Sequence, residues 1–282
     1  MNEGSFVDFL REVLPRFGLD LAGFRNVRST VKKRLRKRLA ELRLADLDAY
    51  RAYLTAHAEE WAVLDGMCRI PISRLYRDAF VYDVVAHELL PERAREAKAA
   101  SRNALRVWSA GCASGEEPYT ISAIWRFEVE KAFPDLALEI VATDVDVEMC
   151  ARARRATYDT TSLREVPAAW RDRAFVPDGD DWRAIHEIRE RVNVVREDLR
   201  TSYRPGPFDL IFCRNVAFTY FDEPVRRHVT ERFAERLHPG GYLVVGKGEV
   251  IPETTTAFTS VAPCIYRRSP NGGEQNDESG RA

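Results

Sequence analysis

The chain has 282 residues, of which 45% are hydrophobic and 31% are charged, an ordinary composition for a soluble globular protein of roughly two domains. Its formal net charge of −1 excludes a strong overall field toward nucleic acid or a membrane surface. The scattered cysteines form no CxxC pair and have no histidine at metal spacing, so the sequence predicts neither a zinc or other metal site nor a disulfide framework.

The N-terminal sequence carries acidic residues and lacks the long apolar core of a signal peptide. The apolar runs of the chain are far shorter than the roughly 20 residues that cross a bilayer. We therefore expect a cytoplasmic protein with reduced thiols that is not inserted in a membrane.

Residues 1–80 predict a small all-helical N-terminal domain. Apolar residues recur at helical spacing in FVDFLREVL and again in LDAYRAYLTAH. Between them, TVKKRLRKRLAELRL has one apolar stripe, and lysine and arginine cover the rest of the helix. This basic helix, residues 29–43, is either a solvated helix face or a docking site for an acidic partner.

After a helical linker at residues 81–103, strand and helix patterns alternate. The strand patterns are ALRVWSAG, ALEIVATDVD, VNVVRED, PFDLIFC, GGYLVVG and APCIYRR. Such alternation predicts an α/β domain over residues 104–268, with a doubly wound, mainly parallel sheet. Within residues 159–197, an Asp-Gly turn at 178–179 predicts an inserted antiparallel β-subdomain. The tail 269–282 is rich in Gly, Asn and acids, and predicts disorder.

The turn WSAGCASGEEPY at the end of the first strand is the strongest local motif. Gly111, Ala113 and Gly115 allow a ligand to approach the backbone closely. The turn is neither a GxGxxG dinucleotide fingerprint nor a P-loop. Glu116 and Glu117 would repel a phosphate, so the turn favours a cationic or hydroxyl-bearing ligand. The alternative is an ordinary tight turn between a strand and a helix.

Later strands also end in polar or small residues. Asp144 ends the second strand, Asp198-Leu199 follows the third, and Cys213-Arg214 follows the fourth. Ligands of doubly wound folds bind at the carboxyl ends of the strands, where an acid after the second strand holds ribose hydroxyls. These residues therefore predict one binding edge, although Asp144 could instead cap the following helix.

The blocks RVWSAGCASGEEPYT, ATDVD, PFDLIFCRN and YFD, in this order, resemble the CheR family of methyltransferases. Upstream, ISRLYRD is similar to that family's pattern of a hydroxyl residue, two aromatics, an arginine and an acid. The similarity implies a class I methyltransferase fold that uses S-adenosylmethionine, a cation that carries hydroxyls and no phosphate. It also implies methyl transfer to glutamate side chains of bacterial chemoreceptors, with S-adenosylhomocysteine as the second product.

The resemblance also implies roles for individual residues. Cofactor contacts are expected at Ser73, Arg77, Gly111, Glu117, Asp144, Asp198, Leu199, Cys213 and Arg214. Gly111 and Glu117 would surround the methionine part, Asp144 would take the ribose hydroxyls, and Cys213 and Arg214 would contribute mainly backbone. Arg77 and Tyr220 would be the catalytic positioners. The basic helix and the inserted β-subdomain would dock on the cytoplasmic helices of the receptor.

These roles are consistent with the chemistry of methyl transfer to a carboxylate. A glutamate with a reference pKa of about 4.3 is ionised at pH 7, so attack on the methyl group of a sulfonium needs no general base. The reaction needs orientation and desolvation instead. Arg77 would hold the acceptor carboxylate bidentately, and Tyr220 would add a hydrogen bond.

Three departures from the family pattern lie near the acceptor side. CRNVAFTYFD has one extra residue before Tyr220, so Thr219 could occupy its place. The late strand ends in Gly-Lys-Gly-Glu at 246–249 rather than Gly-x-Ser-Glu, and Pro71 replaces a polar contact. Two alternatives therefore stay open. One is a CheR-like methyltransferase for a small molecule or another protein, and the other is a non-catalytic S-adenosylmethionine-binding interaction module.

Overall fold

The computed structural model describes residues 2–253 and 256–269, so the tail predicted to be disordered lies outside the described residues except for Ser269. The chain divides into two compact units, which comprise Met1–Pro71 with Thr219–Arg226, and Ile72–Phe218 with Arg227–Ala282. The domain boundaries drawn from the sequence stay predictions. Within the described ranges, no helix combines the length and the apolar character that a membrane crossing requires.

The first unit is helical, as predicted. Its helices are α1 (Glu3–Val13), α2 (Arg28–Glu41), α3 (Leu47–Ala56) and α4 (Glu60–Cys68). The apolar stripes that suggested helices are buried against each other, and Phe6, Leu10, Leu35 and Tyr50 have no exposed surface. Asp46 caps α3, because its carboxylate accepts the amide of Ala49.

A segment from late in the chain completes this unit. The amide of Asp20 donates to the Tyr220 carbonyl at 2.8 Å, and the Tyr220 ring packs on Phe24 with centroids 5.3 Å apart. An ideal Cβ at Gly23 would lie 2.1 Å from the carbonyl oxygen of Thr219. This close approach of two backbones requires glycine.

The strands belong to the second unit. Numbered along the chain, they are β1 (Ala104–Ala110), β2 (Ala137–Asp144), β3 (Thr157–Tyr158), β4 (Phe175–Asp178), β5 (Asp181–Ala184), β6 (Val192–Arg196), β7 (Phe208–Cys213), β8 (Leu237–Val245), β9 (Phe258–Ala262) and β10 (Ile265–Arg268). The seven-stranded sheet has the order β6-β2-β1-β7-β8-β10-β9. Its first five members pair in parallel and β10 runs antiparallel to both neighbours, which confirms the predicted mainly parallel sheet.

Helices connect these strands. Those after α4 are α5 (Ala79–Val84), α6 (Leu90–Ala99), α7 (Glu116–Ile124), α8 (Val147–Arg155), α9 (Ala168–Ala174), α10 (His186–Arg189), α11 (Ala217–Tyr220) and α12 (Glu223–Arg236). A π-helical turn, Val85–Leu89, joins α5 to α6. Val81, Tyr82 and Leu90 of this region lie in the same buried core as Leu105 and Val107 of β1. The helical segment expected as a linker therefore packs in the core of the second unit.

A small antiparallel sheet, in the order β3-β5-β4, confirms the predicted β-subdomain. Its β4–β5 turn contains Gly179, whose φ of +66° is in the left-handed region that the Asp-Gly pair favours. The strand β6, which also lies within 159–197, is an edge strand of the large sheet instead.

We predict opposite effects of adding a methyl group at two glycines of the helical unit. Gly23→Ala would force Cβ into the backbone of Thr219 and should lower the free energy of unfolding by about 1–3 kcal/mol. Gly66→Ala is the control, because it lies within α4 and nothing is found within 4 Å of its added Cβ. It should raise the free energy of unfolding by about 0.5–1 kcal/mol. Urea unfolding of both variants tests this, and equal effects would contradict the described packing.

Candidate active site

The turn between β1 and α7 lies at the carboxyl edge of the sheet, and most of its residues are buried. Gly111 and Gly115 have φ values of +83° and +93°, which favour glycine. The Gly111 amide donates to the Thr143 carbonyl at 2.8 Å, and an ideal Cβ at Gly111 would lie 2.7 Å from Cγ2 of Val216. The turn is therefore packed from both sides and cannot accept a side chain at this glycine.

Asp144, at the end of β2, is fastened to the same turn. Its Oδ2 accepts the amide of Ala113 and its Oδ1 accepts the amide of Asp146, both at 2.9 Å. The cap of α8 is Asp146, whose carboxylate accepts the amides of Glu148 and Met149. Helix capping, the alternative role considered for Asp144, thus belongs to its neighbour.

The next strand end lies beside Asp144. The amide of Glu197, just after β6, donates to the Asp144 carbonyl at 2.9 Å. Asp198 follows, and its carboxylate accepts two hydrogen bonds from Arg200, from Nε to Oδ1 at 3.0 Å and from Nη2 to Oδ2 at 2.7 Å. Leu199 is buried. Sequence reasoning missed Arg200, although an arginine two residues after an acid could have suggested the pair.

Two carboxyl groups are buried in the first turn of α7. Glu116 and Glu117 are 3% and 8% exposed, and burial is the main cause that raises the pKa of each. The Ser109 hydroxyl donates to Oε1 of Glu117, and the Ser114 hydroxyl donates to Oε1 of Glu116, both at 2.7 Å. A hydrogen bond with the Ser73 side chain lowers the pKa of Glu116, by less than burial raises it. The turn is therefore acidic.

A buried guanidinium, that of Arg214, connects several groups of the site. Its Nη1 donates to the Tyr82 hydroxyl at 2.9 Å and lies 3.7 Å from Oε2 of Glu117. Its Nη2 donates to Oδ2 of Asp78 at 2.7 Å and to the Arg77 carbonyl at 3.0 Å. The Arg214 side chain thus joins the end of β7 to the Arg77 loop, and the backbone contacts to the cofactor expected of this residue stay a prediction.

The Arg77 loop, residues 72–78, carries a partly exposed guanidinium. Arg77 has 36% of its side chain exposed, its Nη1 donates to the Ile72 carbonyl at 3.2 Å, and its Nε lies 3.9 Å from Oδ2 of Asp78. The Tyr76 amide donates to Oγ1 of Thr120 in α7 at 3.0 Å. Helix α7 thus supports both the acidic turn and the loop.

Glu249 is a further group near the strand ends, and sequence reasoning missed its role. Oε2 of Glu249 accepts the amides of Asn215 and Gly246 at 2.7 and 2.6 Å, so it joins the ends of β7 and β8. This glutamate belongs to the Gly-Lys-Gly-Glu departure, which gave the only sequence indication of its importance.

Burial raises the pKa of the Cys112 and Cys213 thiols well above its usual range, so both side chains stay protonated.

The second unit therefore brings together the acidic turn, Asp144, Asp198 and Leu199, Cys213 and Arg214, and the loop with Ser73 and Arg77. Tyr220 and Thr219 belong to the helical unit, and the catalytic role of either stays a prediction.

Two protein families match these two parts of the chain. Residues 72–266 match the family described as CheR methyltransferase, SAM binding domain, and residues 5–64 match CheR methyltransferase, all-alpha domain. The chain belongs to the CheR methyltransferase family. It is an S-adenosylmethionine-dependent methyltransferase, and the acidic turn without a phosphate-binding lysine fits that cofactor.

Curated relatives of this CheR family member match between 62% and 93% of its length. A chemotaxis protein methyltransferase of Vibrio parahaemolyticus is 31% identical over 269 residues, which are 93% of this chain and 94% of that protein. One of Listeria monocytogenes is 30% identical over 249 residues, or 88% of this chain and 91% of the relative. Chemotaxis protein methyltransferase 1 of Pseudomonas aeruginosa is 38% identical over 181 residues, which are 62% of this chain and 65% of that protein.

Glu116 gives a testable dependence of stability on pH. Because its pKa is raised in the folded protein, its stabilising contribution is complete below the ordinary carboxyl pKa and is lost as pH rises through the raised value. Its Oε2 has no partner in hydrogen-bond geometry among the described residues. Glu116→Gln should therefore raise the free energy of unfolding at pH 8 by about 1 kcal/mol, with a smaller gain at pH 5.

Urea unfolding at the two pH values measures both gains. The exposed Glu187→Gln variant is the control. A gain at Glu116 that does not change with pH, or an equal change at Glu187, would contradict the assignment.

Proposed function

We propose that this enzyme transfers a methyl group from S-adenosylmethionine to glutamate side chains of chemoreceptor proteins in the cytoplasm. The observation that carries the proposal is the partly exposed guanidinium of Arg77. Among the described residues, its Nη2 group has no hydrogen-bond partner, while Nε and Nη1 face Asp78 and the Ile72 carbonyl. A guanidinium with a free edge suits a carboxylate acceptor. The relatives named chemotaxis protein methyltransferases support this acceptor.

The proposed cofactor site follows the carboxyl edge of the sheet. Gly111 would allow close approach of the methionine part, and Glu117 would attract its positive charges. The carboxylate of Asp144, held by two backbone amides, would accept ribose hydroxyls. Asp198 and Leu199 would contact the adenine, with further contacts from Ser73, Arg77, Cys213 and Arg214. When bound, the cofactor supplies an activated methyl group on a sulfonium.

The remaining task of the chain is orientation of the acceptor. A glutamate is ionised at neutral pH, with a reference pKa of about 4.3, so no proton has to be removed before attack. Arg77 would hold one face of the carboxylate and direct a free oxygen outward. The methyl ester is neutral and would lose its attraction to Arg77, which favours release. A hydrogen bond from Tyr220, or from Thr219 in its place, belongs to the same proposal.

Several cations of the basic helix are already engaged within the protein and are left out of the proposed receptor-docking surface. Arg34 donates to the carbonyls of Met67 and Arg69, and Arg38 pairs with the buried Glu60 at 2.6 Å. Lys32 pairs with Glu3 and has only 15% of its side chain exposed. Lys33, Arg36 and Lys37 are exposed on this helix. We propose that these three, together with the β-subdomain, contact the receptor.

The first test of the proposed function measures methyl esters. Purified enzyme, radiolabelled S-adenosylmethionine and a receptor cytoplasmic fragment should give label that base releases as methanol. Arg77→Ala should lower kcat by about 100-fold or more and leave measurable cofactor binding. Arg74→Ala is the control, because Arg74 lies in the same loop with 52% of its side chain exposed and pairs with Glu165. Unchanged turnover in Arg77→Ala would reject the catalytic role.

The second test concerns the ribose. Asp144→Asn removes the negative charge and should weaken cofactor binding by about 10- to 100-fold, since hydrogen bonds to charged groups contribute about 1.5–3 kcal/mol. Asp146→Asn should leave the affinity unchanged, because asparagine caps a helix as well as aspartate does. Calorimetry with S-adenosylhomocysteine measures both, and equal affinities in the two variants would reject ribose binding by Asp144.

The third test concerns docking. Reversal of Lys33, Arg36 and Lys37 to glutamate should raise KM for the receptor fragment by about tenfold at low salt, and less at high salt. Cofactor affinity should not change. The control reverses three other exposed cations, Arg95, Lys98 and Lys131, with the same change in net charge. An equal rise in KM for both variants would show that net charge, and not this helix, attracts the receptor.

A further inference from the structure

The backbone around Arg77 adopts an unusual conformation. Tyr76 and Asp78, on either side of Arg77, have φ values of 58° and 63°, in the left-handed region that few residues other than glycine adopt. Aspartate and asparagine tolerate this region better than most residues. Such conformations persist only where surrounding contacts hold them, and they concentrate at functional sites.

The carboxylate of Asp78 lies between two guanidinium groups. Its Oδ2 accepts from Nη2 of Arg214 at 2.7 Å and lies 3.9 Å from Nε of Arg77. The Arg214 side chain is only 5% exposed, so its charge requires a nearby anion. Nη2 of Arg214 also donates to the Arg77 carbonyl, and Nη1 donates to Tyr82. Asp78 thus joins a fixed, buried arginine to a partly exposed one.

This arrangement determines which edge of the Arg77 guanidinium is available. Nε faces the Asp78 carboxylate and Nη1 faces the Ile72 carbonyl at 3.2 Å, so the group is oriented from two sides of its own loop. An acceptor carboxylate then meets the remaining edge. Without the negative charge of Asp78, Arg77 would lose one of these two restraints and Arg214 its closest anion.

We propose that Asp78 is a positioning residue, which acts on methyl transfer by setting the direction of the Arg77 guanidinium. This inference rests on the proposed function, because it assumes that Arg77 orients the acceptor carboxylate. Asp78 itself touches neither the cofactor nor the acceptor in this proposal. Its effect should therefore appear in kcat and disappear when Arg77 can no longer orient the acceptor.

Asp78→Asn separates the charge from the backbone conformation. Asparagine keeps an acceptor oxygen and tolerates the left-handed region, so the loop should stay folded. We expect kcat for the receptor fragment to fall about 10- to 100-fold, because small misplacements of an orienting group have effects of this size. The affinity for S-adenosylhomocysteine should match that of Asp48→Asn, whereas the urea midpoint should be lower, because the buried Arg214 loses the charge of its closest anion. That control removes a carboxylate that also pairs with an arginine, Arg51, at 2.7 Å.

A double-mutant cycle with Arg77→Lys tests whether Asp78 acts through Arg77. Lysine keeps the charge but lacks the fork that Asp78 would orient. In the Arg77→Lys background, Asp78→Asn should lower kcat by less than about twofold, since residues that act as a unit are not additive. A further loss as large as in the wild-type background would overturn the inference. So would an Asp78→Asn enzyme with the kcat of Asp48→Asn.

The wild-type enzyme is assayed in the same experiment. If it releases no methanol from the receptor, the proposed function fails and the positioning role fails with it. If the wild-type enzyme does methylate the receptor but Asp78→Asn gives either of the two contradicting results above, the proposed function stands and only the positioning role is rejected.

Discussion

The parallel pairing of β6, β2, β1, β7 and β8 determines where the chemistry of this protein can occur. Parallel strands end at the same edge of their sheet, so the residues after each strand meet there although they are distant in sequence. The β1–α7 turn, Asp144 at the end of β2, and Asp198 after β6 come together in this way. Backbone hydrogen bonds between strand ends hold them in place, from the Gly111 amide to the Thr143 carbonyl and from the Glu197 amide to the Asp144 carbonyl.

Charge burial is the second constraint, and it opposes stability. Glu116, Glu117 and Arg214 are each less than a tenth exposed, and removing such groups from water is costly unless partners compensate. Serine hydroxyls, Tyr82 and Asp78 supply much of that compensation. The part of the burial cost of Glu116 and Glu117 that these partners do not offset can be offset by a positively charged ligand. A phosphate would add to that cost. This explains how a doubly wound sheet can bind S-adenosylmethionine without the lysine of a P-loop.

Fold class and the acidic turn could be predicted because their determinants are local. Helical periodicity, strand alternation, and the Gly-x-Ala-x-Gly-Glu-Glu order each depend on residues close in sequence. The contacts of Arg214 could not be predicted, since Tyr82 and Asp78 are more than 130 positions away. The same holds for the return of Thr219–Arg226 to the helical unit, where the segment packs closely against Gly18 and Gly23, about 200 positions earlier in the chain. The contact of Glu249 with the Asn215 amide, 34 positions away, could not be predicted for the same reason. Arg200 is different, because it lies only two positions from Asp198 and the pair is local.

The central claim is that the carboxyl edge of the sheet forms an acidic site for a sulfonium or its thioether product, and not for a phosphate. Isothermal titration calorimetry of the purified protein with S-adenosylhomocysteine, and separately with adenosine monophosphate, tests it most directly. We expect saturable binding of S-adenosylhomocysteine with one site per chain and no detectable heat from adenosine monophosphate. Absence of binding by S-adenosylhomocysteine, or comparable affinity for the phosphate, would contradict the account.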